Sequence, residues 1–193
     1  RTLANLSTSI VDLFVVSALL AVWYRLYDRR KAVRLLSAID PVRTALPGVA
    51  ALAGASLGAG LLMESPRAFS VAHPMDTLSL AATVAAALLL GAAASVMARN
   101  RRAEIAASGE AGAPGGADRE LRIAGVILFS LGALFALSVS YVALTFALGI
   151  WACYFLYESP PFRVARFAVV GGVAIGGAAL LSAELGFSAY AGE

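Results

Sequence analysis

The densest group of side chains in this sequence that could engage a charged partner is Arg99, Asn100, Arg101, Arg102 and Glu104. Guanidinium groups are permanently charged planar donor forks that match phosphate and carboxylate. Two readings stand for these arginines: they fix the topology of a membrane protein, or they contact anionic headgroups. Other chemistry finds little material. His73 is the sole histidine and sits beside Pro74 with no Cys or paired acids at ligand spacing. A metal site and a general base both lack partners there. Cys153 is the only cysteine, lies in an apolar run and reads as a packing residue. No serine-nucleophile elbow, glycine-rich phosphate cradle or haem motif occurs.

The elements that must position these groups are membrane helices. Hydrophobic residues make up 60% of the 193 positions, charged residues 14%, and mean hydropathy is +0.82. No soluble core of this size requires that balance. A spanning helix needs about 20 apolar residues, which predicts spans at residues 9–27, 44–63, 78–97 and 167–187. Residues 121–157 carry no charge between Arg122 and Glu158 and are too long for one span, so we divide them near 138–142 into two antiparallel helices. The expected fold is an all-α integral membrane protein: one domain of about six spans plus a short interfacial helix.

That interfacial helix is predicted at residues 28–39, where Val33, Leu35, Leu36 and Ile39 alternate with Arg29, Arg30, Lys31 and Arg34. A plain charged loop is the alternative. Asp40-Pro41 caps and opens the next span, and Pro47 one turn further in predicts a kink. At the other end of the chain, Pro160-Pro161 should stop the helix that ends near Tyr157. Tyr154, Phe155 and Tyr157 precede the prolines at interface depth, and Arg163 and Arg166 follow in water. The cytoplasmic connection 98–120 reads as the longest polar loop, with a flexible Gly-rich stretch at 108–116.

Thirteen of the fifteen Lys and Arg residues fall in connections on one side of this arrangement, leaving only Arg1 and Arg67 on the other. By the positive-inside rule the basic loops are cytoplasmic in an inner membrane, and the amino terminus and residues 64–76 face outward. The net charge of +3 then reflects topology and anionic lipid, with no nucleic-acid partner implied. Asp12 and Glu184 lie about one turn inside their spans, where a side chain snorkels to headgroups. No span carries a central acid, lysine or histidine, which argues against proton-coupled transport. Gly54-x-x-x-Gly58 and Gly172-x-x-x-Gly176 are close-packing signals, for contacts within the chain or for a partner helix. Because it begins at Arg1, the chain reads as processed or as part of something longer.

Leu156-Tyr157-Glu158-Ser159-Pro160-Pro161-Phe162-Arg163-Val164-Ala165-Arg166 resembles the Leu-Tyr-Ser-x-Pro-Pro-x-Arg-Leu-Lys-Arg element that closes the fourth helix of the UbiA superfamily of intramembrane prenyltransferases. The order of features around it is similar too: a basic interfacial segment ending in Asp40-Pro41-Val42-Arg43, two spans, a polar loop, two closely joined spans, this element, then a Gly-rich span. The resemblance covers residues 29–187, the first helix at 9–27 being an addition. It implies a prenyltransferase-like bundle and a ligand site at Asn100, Glu104, Tyr157 and Arg163, with Arg99, Arg101, Arg102 and Arg166 as anionic headgroup contacts. The family's Asn-Asp-x-x-Asp-x-x-x-Asp motif, whose acids hold magnesium against a diphosphate, aligns with Asn100, Arg101, Glu104 and Ser108. One acid of three remains, and magnesium wants several hard oxygen ligands. No cofactor is therefore expected. The leading expectation is a non-catalytic relative that stabilises a larger membrane complex, with other membrane subunits and membrane lipids as partners and a quinone or polyprenyl tail as ligand. The competing expectation is a working magnesium-dependent prenyltransferase whose second acidic motif lies beyond Glu193 or on another chain. An unrelated six-span scaffold is the third.

Overall fold

The computed structural model describes residues 2–62, 74–109, 119–158 and 167–189. They form α1 (Thr2–Tyr27), α2 (Arg29–Ala38), α3 (Pro41–Leu62), α4 (Pro74–Gly109), α5 (Arg119–Val139), α6 (Tyr141–Glu158) and α7 (Ala168–Phe187). Five helices, α1, α3, α4, α5 and α7, are long and apolar enough to cross a bilayer, while α6 is a shorter apolar helix. This is an all-helical membrane protein. Arg1, Arg67, His73, the Pro160-Pro161 turn, Arg163 and Arg166 lie outside the described residues.

Helix α4 departs from expectation. The span was expected to end at Met97 with a loop from residue 98, yet the helix continues to Gly109. Ala98, Arg99, Arg101, Arg102, Ala103, Glu104, Ala106 and Ala107 are strong helix formers, so the end of the apolar run is not the end of the helix. Its 36 residues span about 54 Å at about 1.5 Å each, against a hydrocarbon core of about 30 Å. The charged turns that follow Met97 run beside the start of α5, where Arg122 meets Glu104.

The break between α5 and α6 falls at Ser140, inside the predicted window. Ser140 caps α6, its Oγ accepting from the Ala143 amide at 2.9 Å. Phe129 and Trp151, equally far from Ser140 in sequence, meet with ring centroids 4.6 Å apart, so the two helices fold back on each other. Small residues set the remaining contacts. Gly125 faces Met97 and Gly132 faces Leu90, which pairs α5 with α4 in antiparallel sense. Gly149 faces Leu181 and Gly177 faces Cys153, which does the same for α6 and α7.

The closest approach joins α3 to α7. A Cβ on Gly54 would lie 1.8 Å from the Ala183 carbonyl oxygen, and one on Gly186 would lie 1.8 Å from that of Ala51. No side chain fits at either position, and with no hydrophobic force between helices in lipid this backbone contact is where α3 and α7 gain their packing. Phe135, Ile10, Leu90, Ile150 and Leu185 fill the core among alanines. Helix α1 reaches that core through Ile10, Leu13 and Phe14, whose ring lies 4.7 Å from Phe135. Its Val15, Val16, Leu19, Val22 and Leu26 face outward.

Candidate functional site

The first residue of the site is Asp40. Its Oδ1 accepts from the Val42 amide at 3.0 Å and the Arg43 amide at 3.5 Å, so it caps α3, with Pro41 in the first turn where a missing amide costs nothing. Asp28 does the same for α2, accepting from the Arg30 and Lys31 amides at 3.0 and 3.1 Å. These two caps fold the chain into a corner across the basic end of the bundle. Helix α2 is tied there by Lys31 to Glu120 of α5 and by Arg99 Nη1, which donates to the Ser37 carbonyl. The carboxylate of Glu120 beside it raises the Lys31 ammonium above the ordinary lysine range. Val33 and Leu36 of α2 point away from the bundle, the orientation an interfacial helix needs.

Against this corner, α4 presents three faces in its last turns. The face carrying Ser95, Arg99 and Arg102 borders a cleft of about 300 Å³ whose other wall is Ser37, Asp40, Pro41 and Arg43. On that wall Arg43 Nε is 3.6 Å from Asp40 Oδ2. A second face, with Ala94, Met97, Ala98 and Arg101, borders an apolar groove of about 110 Å³ closed by Trp151, Tyr154 and Phe155 of α6. Arg101 lies over the Phe155 ring at 5.1 Å and Arg43 over the Tyr157 ring at 5.6 Å, both cation–π contacts. The third face, with Asn100 and Glu104, packs toward α5. There Glu104 Oε1 accepts from Arg122 Nη2 at 2.6 Å and from Asn100 Nδ2 at 3.4 Å. Asn100 is only 4% exposed, and its Oδ1 has no partner among the described residues.

The structure thus brings Asn100 to Glu104 and Tyr157 to Arg43, but separates the arginines predicted as one group. Arg99 and Arg102 share a cleft, whereas Arg101 is on the opposite flank of α4. Among the described residues no three His, Cys, Asp or Glu side chains gather where a metal ion could be held. Gly54 and Gly58 lie against Ala183 and Phe187, whereas Gly172 and Gly176 have no described atom within 4 Å of the place a Cβ would take and face outward.

Sequence reasoning missed Arg43, Ser95, Trp151 and Arg122 as parts of the site. The spacing of Ser95, Arg99 and Arg102 matches one helical face, but only if α4 is known to run past Met97. Arg43 carried a subtler signal. Pro47 lacks the amide that would bond the Arg43 carbonyl, and that carbonyl instead accepts from the Tyr154 hydroxyl of α6 at 3.4 Å.

Fold and site together define a class: a helical membrane protein with a basic cleft and an aromatic-rimmed apolar groove at one end of its bundle. No family model, curated protein or solved structure matches this chain.

Proposed function

We propose that this chain is a non-catalytic, UbiA-like membrane subunit that stabilises a larger membrane complex, crossing the bilayer six times with its basic end in the cytoplasm. The observation that carries the reading is the state of Glu104. It is the one acid left of the family's metal-holding motif, and its carboxylate is engaged by Arg122 at 2.6 Å and by the Asn100 amide. A carboxylate whose charge is offset by a guanidinium is a weaker ligand for a cation, and one such acid is a poor start for a magnesium cluster that needs several hard oxygens.

The apolar groove between Met97, Trp151, Tyr154 and Phe155 is small and suits a segment of a lipid or quinone tail rather than a complete reacting pair. Faces outside the core are left for subunits: α1 along most of its length and the outward Gly172 and Gly176 stripe of α7.

The test has two arms. Protein recovered in mild detergent is expected to bring defined membrane subunits with it and to transfer no prenyl group from a prenyl diphosphate in magnesium. Glu104→Gln is expected to leave complex recovery unchanged. Magnesium-dependent turnover by the unmodified chain, abolished by Glu104→Gln, would replace this reading with the prenyltransferase. Cysteine labelling at Ala107 from the cytoplasmic side only is the outcome that agrees with the orientation.

A further inference from the structure

We propose that the outward face of α2 is a docking surface for an anionic lipid bilayer, held through Arg29, Arg30 and Arg34. This surface depends on α1 and α3 being spans and is independent of the subunit reading, since an isolated chain carries it too.

The four basic residues of α2 divide by face, which a count along the sequence does not show. Lys31 turns toward α5, where Glu120 takes it, and Leu35 and Ala38 turn with it toward the bundle. Arg29, Arg30 and Arg34 are exposed, and no side chain among the described residues pairs with any of them. The acids whose side chains are described at this end are engaged elsewhere: Asp28 and Asp40 cap helices, Glu120 holds Lys31, and Glu104 holds Arg122. Three positive charges therefore face outward with no counter-charge from the described part of the chain, and they favour an anionic partner.

Chain connectivity selects a bilayer over a soluble acidic partner. Only Asp28 separates α2 from α1, and only Ile39 and Asp40 separate it from α3. Both neighbours are long and apolar enough to cross a membrane. A helix of ten residues, about 15 Å long, cannot leave the surface on which its two tethering spans emerge. Its exposed face suits that surface. Arg29, Val33 and Leu36 follow one helical row and Arg30 with Arg34 the next, with Val33 58% and Leu36 68% exposed. Apolar side chains flanked by arginines settle in a headgroup layer and are drawn to anionic lipid. The positive-inside rule requires basic residues on this side. It does not require them on the face of α2 that the bundle leaves free, with apolar side chains in the same row.

The test uses the full chain, with Cys153→Ser and a fluorophore on Val33→Cys, in phosphatidylcholine nanodiscs. These hold the same small fraction of either nitroxide-labelled phosphatidylglycerol or nitroxide-labelled phosphatidylcholine. Phosphatidylglycerol is expected to quench several-fold more strongly, since one arginine near an anionic surface is worth about a fivefold preference. That preference is expected to vanish when Arg29→Gln, Arg30→Gln and Arg34→Gln are combined, and to survive when the three are exchanged for lysine. The same fluorophore on Val173→Cys, outward on α7, is expected to show none. Should the glutamine variant not fold, salt at about 1 M, which shortens the screening length to about 3 Å, must abolish the preference of the unmodified arginines. Equal quenching by both lipids at low salt, or a preference that the glutamines leave unchanged, overturns the proposal. A fluorophore that lipid reaches in the isolated chain, but that neither lipid reaches in the complex carried into the same nanodiscs, overturns the bilayer as occupant and assigns the face to an acidic partner subunit.

Discussion

A proline one turn into α3 accounts for a hydroxyl on α6. Pro47 is fully buried and deprives the Arg43 carbonyl of its helical donor, a defect tolerated in membrane helices only when a neighbour re-satisfies the group. Tyr154 supplies that donor at 3.4 Å, a long bond worth about 0.5 to 1 kcal/mol. Tyr154→Phe is therefore expected to lower stability by that amount, and to lower it less in a Pro47→Ala background, where the α3 amide returns. Thermal unfolding of the four proteins in detergent reads the cycle, and additive losses would show that the hydroxyl serves something else. Gly54 is less forgiving. Its Cβ position lies 1.8 Å from the Ala183 carbonyl oxygen, so even Gly54→Ala must push backbones apart, at about 3 kcal/mol or more. Gly60→Ala, with open space around it, is expected to be neutral in the same assay. The sequence pointed to both Pro47 and Gly54, but which atoms they meet depended on the order in which helices pack, which residue types alone do not specify.

At the scale of elements, the boundaries that are set by local chemistry were legible. Asp40 and Asp28 cap where acids before a helix should, and Ser140 breaks the long apolar run because its hydroxyl can cap α6. The far end of α4 was not legible, since apolar periodicity reports where the membrane stops and helix propensity continued beyond it. That extra length is what builds both clefts. Helix α2 depends on it through Arg99, and on α5 through Lys31 and Glu120. The folded value of Lys31 is raised by Glu120, so the pairing is fully present below the ordinary lysine value of 10.5 and is lost as pH rises through the folded one. A spin label at Val33 is expected to report unchanged mobility from pH 7 to pH 9 and greater mobility only in stronger alkali. Glu120→Gln should loosen it already at pH 7. A label that loosens near neutrality in the unmodified chain would mean that another group holds α2.

Across the whole molecule, two glycine pairs with the same sequence spacing have opposite fates. Gly54 and Gly58 are consumed inside the bundle, where α7 presses on α3, while Gly172 and Gly176 share an outward stripe of α7 with Val169, Val173 and Leu180. The spacing could not distinguish them, because a small residue permits close approach without naming the helix that approaches. Their surroundings now make different predictions for one substitution. Gly54→Leu should prevent recovery of folded chain, since the space is already filled. Gly172→Leu with Gly176→Leu should leave the unfolding temperature of the isolated chain unchanged, because no described atom lies within 4 Å of either Cβ position. If the chain is the subunit proposed above and α7 is its docking face, the same double substitution should weaken recovery of partner subunits in mild detergent, as a bulky side chain holds the second helix away. Full recovery of partners would leave the stripe facing lipid and move the docking surface to α1. That helix exposes Val15, Leu19, Val22 and Leu26 along one edge of the bundle, and bulky-to-alanine changes there would then be the ones to break the assembly.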